Sequence, residues 1–159
     1  MHLIGSAALA LLQHPDQRAR FVSEPSVTQS AIEELLRYTT PVEMTLPRIP
    51  REDVTLSSVT VPRGEWVAGI LGSANRDESV FGEPDTLDLA RDPNPHMAFG
   101  QGRHFCLGAS LARMEAQIAL TTLFARFPGL RLTQPAESLR WRKLLPLRGL
   151  AELPVAGLA

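Results

Sequence analysis

The run Phe99-Gly100-Gln101-Gly102-Arg103-His104-Phe105-Cys106-Leu107-Gly108 places the chain's single cysteine in a glycine-punctuated loop that leads straight into a long helical pattern. Beyond it, Leu111, Met114, Ile118, Leu120, Leu123, Phe124 and Phe127 recur at mixed three- and four-residue spacings. That is the period of an amphipathic helix, and it predicts one over Gly108 to Arg126. Cys106 is therefore expected at a helix N-terminus, where unpaired N–H groups and the positive end of the helix dipole stabilise an anion such as a thiolate. Gly100 and Gly102 carry no Cβ, so the backbone there is free to adopt positive φ and to let a bulky flat ligand come close. Taken by itself, a lone cysteine is most often a small buried hydrophobe. A thiolate placed here could also bind a metal.

All the specified positions of the run match the cysteine loop of the cytochromes P450, Phe-Gly-x-Gly-x-His/Arg-x-Cys-x-Gly. Ser30-Ala31-Ile32-Glu33-Glu34-Leu35-Leu36-Arg37-Tyr38 resembles that family's K helix with its Glu-x-x-Arg motif, here Glu34 and Arg37. Ser73-Ala74-Asn75-Arg76-Asp77 is similar to the segment before the family's meander. Pro84 to Arg91, followed by Pro93-Asn94-Pro95-His96, is similar to the meander itself. Leu111-Ala112-Arg113-Met114-Glu115 resembles the start of the L helix, and the apolar run at the N-terminus resembles the end of the I helix and the J helix. Order and spacing agree over nearly all of the chain, most closely with soluble bacterial members. The resemblance is to the C-terminal portion of the fold, so residues 1–159 are expected to form a partial cytochrome P450 domain. The family's I-helix Ala-Gly-x-x-Thr pattern has no counterpart in this sequence.

Composition sets outer bounds. With 159 residues, 44% of them hydrophobic, and a net charge of -1, the chain suits one modest soluble domain and gives no electrostatic reason to expect nucleic acid. One cysteine excludes an internal disulfide and leaves a zinc site short of thiolates. A cytoplasmic location is the default expectation. The apolar stretch from Met1 to Leu12 has no cationic leader and is too short to span a membrane; it reads as a helix stopping near His14-Pro15.

The coarse pattern predicts helix over about Gly5 to Gln13, a short helical turn from Pro15 to Phe21, and helix from about Ser26 to Tyr38 with a proline stop at Pro41. Val54 to Ile70 alternates around Ser57-Ser58 and Pro62-Arg63-Gly64, as short antiparallel strands do. Asp77 to Ala98, rich in proline and polar residues, reads as ordered but irregular. Pro128-Gly129 ends the long helix, and Leu130 to Leu132 and Leu144 to Val155 read as small strands. The expected fold class is mainly α with a minor antiparallel β part.

Glu34 and Arg37, three residues apart, share a helix face; spacing alone reads as a solvated pair contributing at most about 1 kcal/mol. The resemblance implies instead a buried structural triad with Arg91 that holds the meander and the cysteine loop. It also implies haem b as cofactor, with Cys106 as axial ligand to the iron and as the metal site. Phe99 and Gly100 would lie against the porphyrin, Gly108 would let the helix approach it, and His104 and Arg48 would hold its propionates. His96 is read as structural.

The function so implied is monooxygenation: dioxygen activated at a cysteine-ligated haem iron oxidises a small apolar organic substrate. Electrons would come from a ferredoxin or flavin-type partner at the proximal face. Val42, Met44 and Leu46 are the apolar residues expected at the substrate side. Two other readings stand beside it. One is a noncatalytic haem-binding fragment or the product of a decayed or wrongly started gene. The other makes Cys106 a nucleophile activated by His104, for which the sequence shows no third, orienting group. A fragment of this fold is also expected to expose large apolar patches and to be poorly soluble or molten without haem. Oligomeric state is not legible in the sequence.

Overall fold

The structure, a computed structural model, describes residues 2–157, leaving the side chains of Lys143 and Leu144 undescribed. Helix α1 (His2–Gln13) is apolar on most sides and buries Ala7, Ala8, Leu9, Ala10 and Leu11. Its small residues bring it close to α3 (Thr28–Thr39) and α5 (Ala109–Arg126), and together these helices enclose the core. The chain breaks at His14, whose Nδ1 lies 2.8 Å from the Ala10 carbonyl, and restarts with Pro15 in the first turn of α2 (Pro15–Ser23). Proline suits that position because the N–H it lacks would have no partner there. A single 3-10 turn, Pro25–Val27, precedes α3. Helix α3 ends at Thr40, which takes a left-handed φ of 36° ahead of Pro41. Helix α2 runs two residues past its expected end, and α3 starts two residues and ends one residue later than expected.

Among the described residues, three two-stranded antiparallel sheets accompany the helices: β1 (Val54–Leu56) with β2 (Val59–Val61), β3 (Arg131–Leu132) with β6 (Val155–Ala156), and β4 (Trp141–Leu144) with β5 (Leu147–Leu150). The small strands expected over Leu144 to Val155 are thus the second half of a tight hairpin that begins at Trp141, plus the separate strand β6. Isolated bridges pair Val42 with Leu147, Met44 with Ile70 and Arg48 with Val67, so the segment after α3 is tied to two other parts of the chain. Strand β5 packs directly on α1: a Cβ at Gly149 would run into the His2 ring. A short helix, α4 (Leu71–Ala74), was not expected; four residues carry too little periodicity to be seen.

The core joins Leu11, Phe21, Ile32, Leu35, Leu89, Leu120 and Phe124, with Phe21 and Phe124 meeting edge to face at 6.4 Å. Residues 77–98 carry no regular helix or strand, as expected, yet Phe81, Leu87 and Leu89 are buried, anchoring this meander from within. Helix α5 departs from its expected orientation. It buries Ala109, Ala116, Leu120 and Phe124, whereas Leu111, Met114 and Ile118 are 54%, 53% and 59% exposed. The sequence pattern merges two apolar faces, and the described residues cover one of them.

Candidate cofactor site and its supporting network

Cys106 lies between a 3-10 turn, Gly102–His104, and α5, two residues ahead of the Gly108 cap. The loop folds on itself through short-range bonds. The Gly100 N–H donates to the Met97 carbonyl (2.8 Å), Phe105 N–H to Gly102 (3.0 Å), and Cys106 N–H back to Phe99 (3.0 Å). Gly100 and Gly102 adopt φ of +70° and +75°, the left-handed region that penalises any residue with a Cβ. The sequence expectation for these two glycines is met. Cys106 is exposed, and a Cβ at Gly108 would stand 3.9 Å from its sulfur, so glycine keeps that flank of the thiol open.

The sulfur borders a cavity of about 930 Å³. Its walls are mainly apolar, among them Leu36, Val42, Met44, Leu46, Leu71 and Phe99, and its polar groups include Arg48, Gln101, His104 and Cys106. Of the predicted cofactor residues, Arg48, Phe99, Gly100, His104 and Cys106 converge on this one space; Gly108 stands beside Cys106 just outside the lining. Arg48 is held by a two-way backbone bridge to Val67 at 2.8 and 2.9 Å. Among the described residues, neither the Arg48 nor the His104 side chain takes part in an ion pair.

This donor set fits a haem. A volume near the top of the usual range of about 300–1,000 Å³ suits a large flat ligand. Apolar walls suit the macrocycle, two cationic or N–H donor groups suit its two carboxylates, and a single thiol suits one axial position on iron. Among the described residues, no group of three or more His, Cys, Asp or Glu could hold a metal ion by itself.

Behind the loop lies the predicted triad, and the solvated-pair reading of Glu34 and Arg37 is overturned: both are fully buried. Arg37 grips Glu34 with a two-pronged contact, Nε to Oε2 at 2.7 Å and Nη2 to Oε1 at 2.8 Å. Its remaining N–H groups donate to the carbonyls of Asn75, Pro84 and Thr86. Arg91 reaches Glu34 at 3.2 Å and donates to the carbonyls of Gly82, Glu83 and Thr86. Glu34 further accepts from the Asp88 N–H and the Asn94 amide. A buried carboxylate and two guanidiniums are tolerated here because their hydrogen-bonding groups are so fully used.

Sequence reasoning passed over Asn75, Asn94, Glu33 and Arg113. Fully buried Asn75 links three pieces: its amide N–H donates to Thr40, its Oδ1 accepts from the Met97 N–H, and its carbonyl accepts from Arg37. The only signal was its place in the Ser73–Asp77 segment. Glu33 accepts two bonds from Arg113, both 2.7 Å, and one from His96 at 3.0 Å. Burial alone would raise its pKa; those hydrogen bonds and the Arg113 charge outweigh burial and hold it at about 2, against a usual 4.5. The bond to Glu33 pushes Arg113 upward in turn, with burial opposing.

Comparison with known proteins decides the family. The Cytochrome P450 family model matches residues 18–150. This chain belongs to the cytochrome P450 family. It is 48% identical over 155 residues to the biotin biosynthesis cytochrome P450 of Bacillus subtilis, covering 98% of this chain and 38% of that protein. It is 47% identical over 155 residues to the vitamin D(3) 25-hydroxylase of Pseudonocardia autotrophica, again covering 98% and 38%. Among solved structures, the Bacillus subtilis bacillaene polyketide synthase cytochrome P450 PksS superposes with a TM-score of 0.95 at 44% identity, covering 99% of this chain and 41% of that one. The chain thus spans about 38% of the length of the curated P450 relatives it matches. P450 proteins carry haem b, in agreement with the donor set found here. The expected fold class, mainly α with small antiparallel sheets, is that of these P450 structures. No described helix is long and apolar enough to cross a membrane.

Proposed function

We propose that Cys106 is the axial thiolate ligand of a haem b iron held in the 930 Å³ cavity, and that this chain is the thiolate-bearing part of a cytoplasmic monooxygenase for apolar organic substrates. The observation that carries this reading is the convergence of the single cysteine, an apolar wall and two propionate-suited groups on one space. When bound, the haem supplies the dioxygen chemistry, and a thiolate ligand donates electron density that favours O–O cleavage. His104 and Arg48 orient the group through its carboxylates. Phe99 covers the sulfur side and limits water there, Gly100 and Gly108 leave space for close approach, and Glu34, Arg37 and Arg91 keep the loop's foundation fixed. Val42, Met44 and Leu46 form the apolar substrate side. A ferredoxin or flavin-type protein is the proposed electron donor at the exposed loop face. One solved relative was crystallised with a fatty-acyl-loaded acyl carrier protein, which supports carrier-borne acyl chains as one substrate form to test.

A second reading, a noncatalytic haem-binding polypeptide, is favoured by the rim of the cavity. Leu46 and Leu147 line it yet are 71% and 39% exposed, so this chain alone leaves that side open to water. Titration of the purified chain with haem tests both. One haem per chain, with weaker retention in Arg48→Ala and His104→Ala, supports the site. Substrate oxidation supplied with electrons then separates the monooxygenase from the noncatalytic carrier. Haem uptake unaffected by all these substitutions would refute the site.

A further inference from the structure

The cysteine loop has two feet, the segment ending at Phe99 before it and α5 after it, and each contributes a side chain, His96 and Arg113, that bonds the same carboxylate of Glu33. Glu33 precedes Glu34 on α3, and neighbouring helical positions point about 100° apart. Glu34 therefore serves the meander while Glu33 faces the loop. From α5, Arg113 grips Glu33 through Nε and Nη2, and its guanidinium lies 4.7 Å from the centroid of the Phe99 ring. From the other side, His96 donates through Nε2 to Glu33, while its Nδ1 accepts from the Ala98 N–H at 3.2 Å, which fixes the ring tautomer. Phe99 is then held between the Arg113 cation, the His96 ring at 6.4 Å and the Phe105 ring at 6.3 Å. Its carbonyl accepts the Cys106 N–H.

We propose that Glu33, His96 and Arg113 form a clamp that closes the base of the cysteine loop and sets the position of Cys106 through Phe99. This rests on Cys106 being the haem ligand. The clamp differs from the Glu34 triad in what it touches: the triad binds meander carbonyls, whereas the clamp joins the residues on either side of the sulfur. These three are positioning residues, and they act on the thiolate only through the loop. Groups that orient a metal ligand from behind commonly alter metal affinity about 10- to 100-fold when removed.

Amide hydrogen exchange on the chain, measured with and without haem, tests the clamp without any activity assay. In Glu33→Gln and Arg113→Met, protection of the Cys106 amide is expected to fall about tenfold while Leu120 and Phe124 in the core keep theirs. Arg113→Lys, which retains a cation but loses the fork, is expected to fall between, and it stands in if Arg113→Met does not fold. Arg126→Met, which removes a similar cation over Phe127 at the far end of α5, is expected to leave Cys106 unchanged. On haem-loaded protein, the clamp variants are expected to lose about tenfold in haem retention, and adding Arg113→Met to a Phe99→Leu background is expected to cost nothing further. An unchanged Cys106 amide, or an equal loss of protection across the core, would overturn the clamp. If the wild-type chain shows no thiolate-ligated haem, the cofactor assignment falls, and hydrogen exchange still decides whether the clamp holds the loop.

Discussion

The triad around Glu34 and the loop around Cys106 sit at opposite extremes of self-sufficiency. Around Glu34 the charges are buried and their hydrogen bonds are met by groups of this chain. From Gln101 to Gly108 every residue is exposed, the shape is kept by backbone bonds and two left-handed glycines, and the side chains of the site face an open cavity. The first region is scaffold complete in itself. The second is an exposed loop on the border of a mainly apolar cavity. The chain therefore concentrates its stability in α1, α3, α5 and the meander, and its chemistry in a loop that contributes little to that stability.

The sharpest way to break this contrast is to cut the triad. Glu34→Ala leaves the buried Arg37 guanidinium and the partly buried Arg91 guanidinium short of their carboxylate and is expected to cost about 3–5 kcal/mol, read as a fall in the urea midpoint. Against a typical stability of about 5–15 kcal/mol, that is enough to approach global unfolding. A small shift would mean that the buried charges are less essential than their bonding implies. Gly100→Ala probes the loop. No described atom beyond its chain neighbours lies within 4 Å of the new Cβ, so the cost is backbone strain, about 1–2 kcal/mol, and should appear as a smaller fall in the urea midpoint together with lost haem retention.

Acid sharpens the comparison further. Folding lowers the Glu33 pKa from 4.5 to about 2, so the unfolded chain binds that proton more readily than the folded one. Its contribution is fully present above pH 4.5, declines as pH falls, and is gone below about 2. Because Glu33 is only partly buried, solvent screening reduces the size of the effect. Glu33→Gln should flatten the acid limb of a stability–pH curve across that window; an unchanged limb would contradict the ion-pair account. Smallest of all, Cys106→Ala should move the urea midpoint by no more than about 0.5 kcal/mol equivalent, because the thiol is exposed.

Local signals carried much of this into the sequence. Pro15 and Pro41 mark helix boundaries, and Gly100 and Gly102 mark a strained loop whose pattern with Cys106 identifies the family. The triad was visible only through resemblance, because Arg91 lies far along the chain from Glu34. Two things were hidden for physical reasons. Period alone cannot say which of two apolar faces of α5 turns inward, and Leu111, Met114 and Ile118 turn out. Spacing likewise cannot join Glu33 to Arg113, 80 residues apart, or Asn75 to Met97, 22 apart. Those contacts exist only once the helices pack.

The most direct test of the central claim is the absorption spectrum of the chain reconstituted with haem, reduced and exposed to carbon monoxide, beside Cys106→Ala. The account predicts a red-shifted, thiolate-type Soret band in the wild-type chain that vanishes in the variant while the fold is kept. A spectrum of that type persisting in Cys106→Ala, or absent from a folded, haem-loaded wild-type chain, would contradict it.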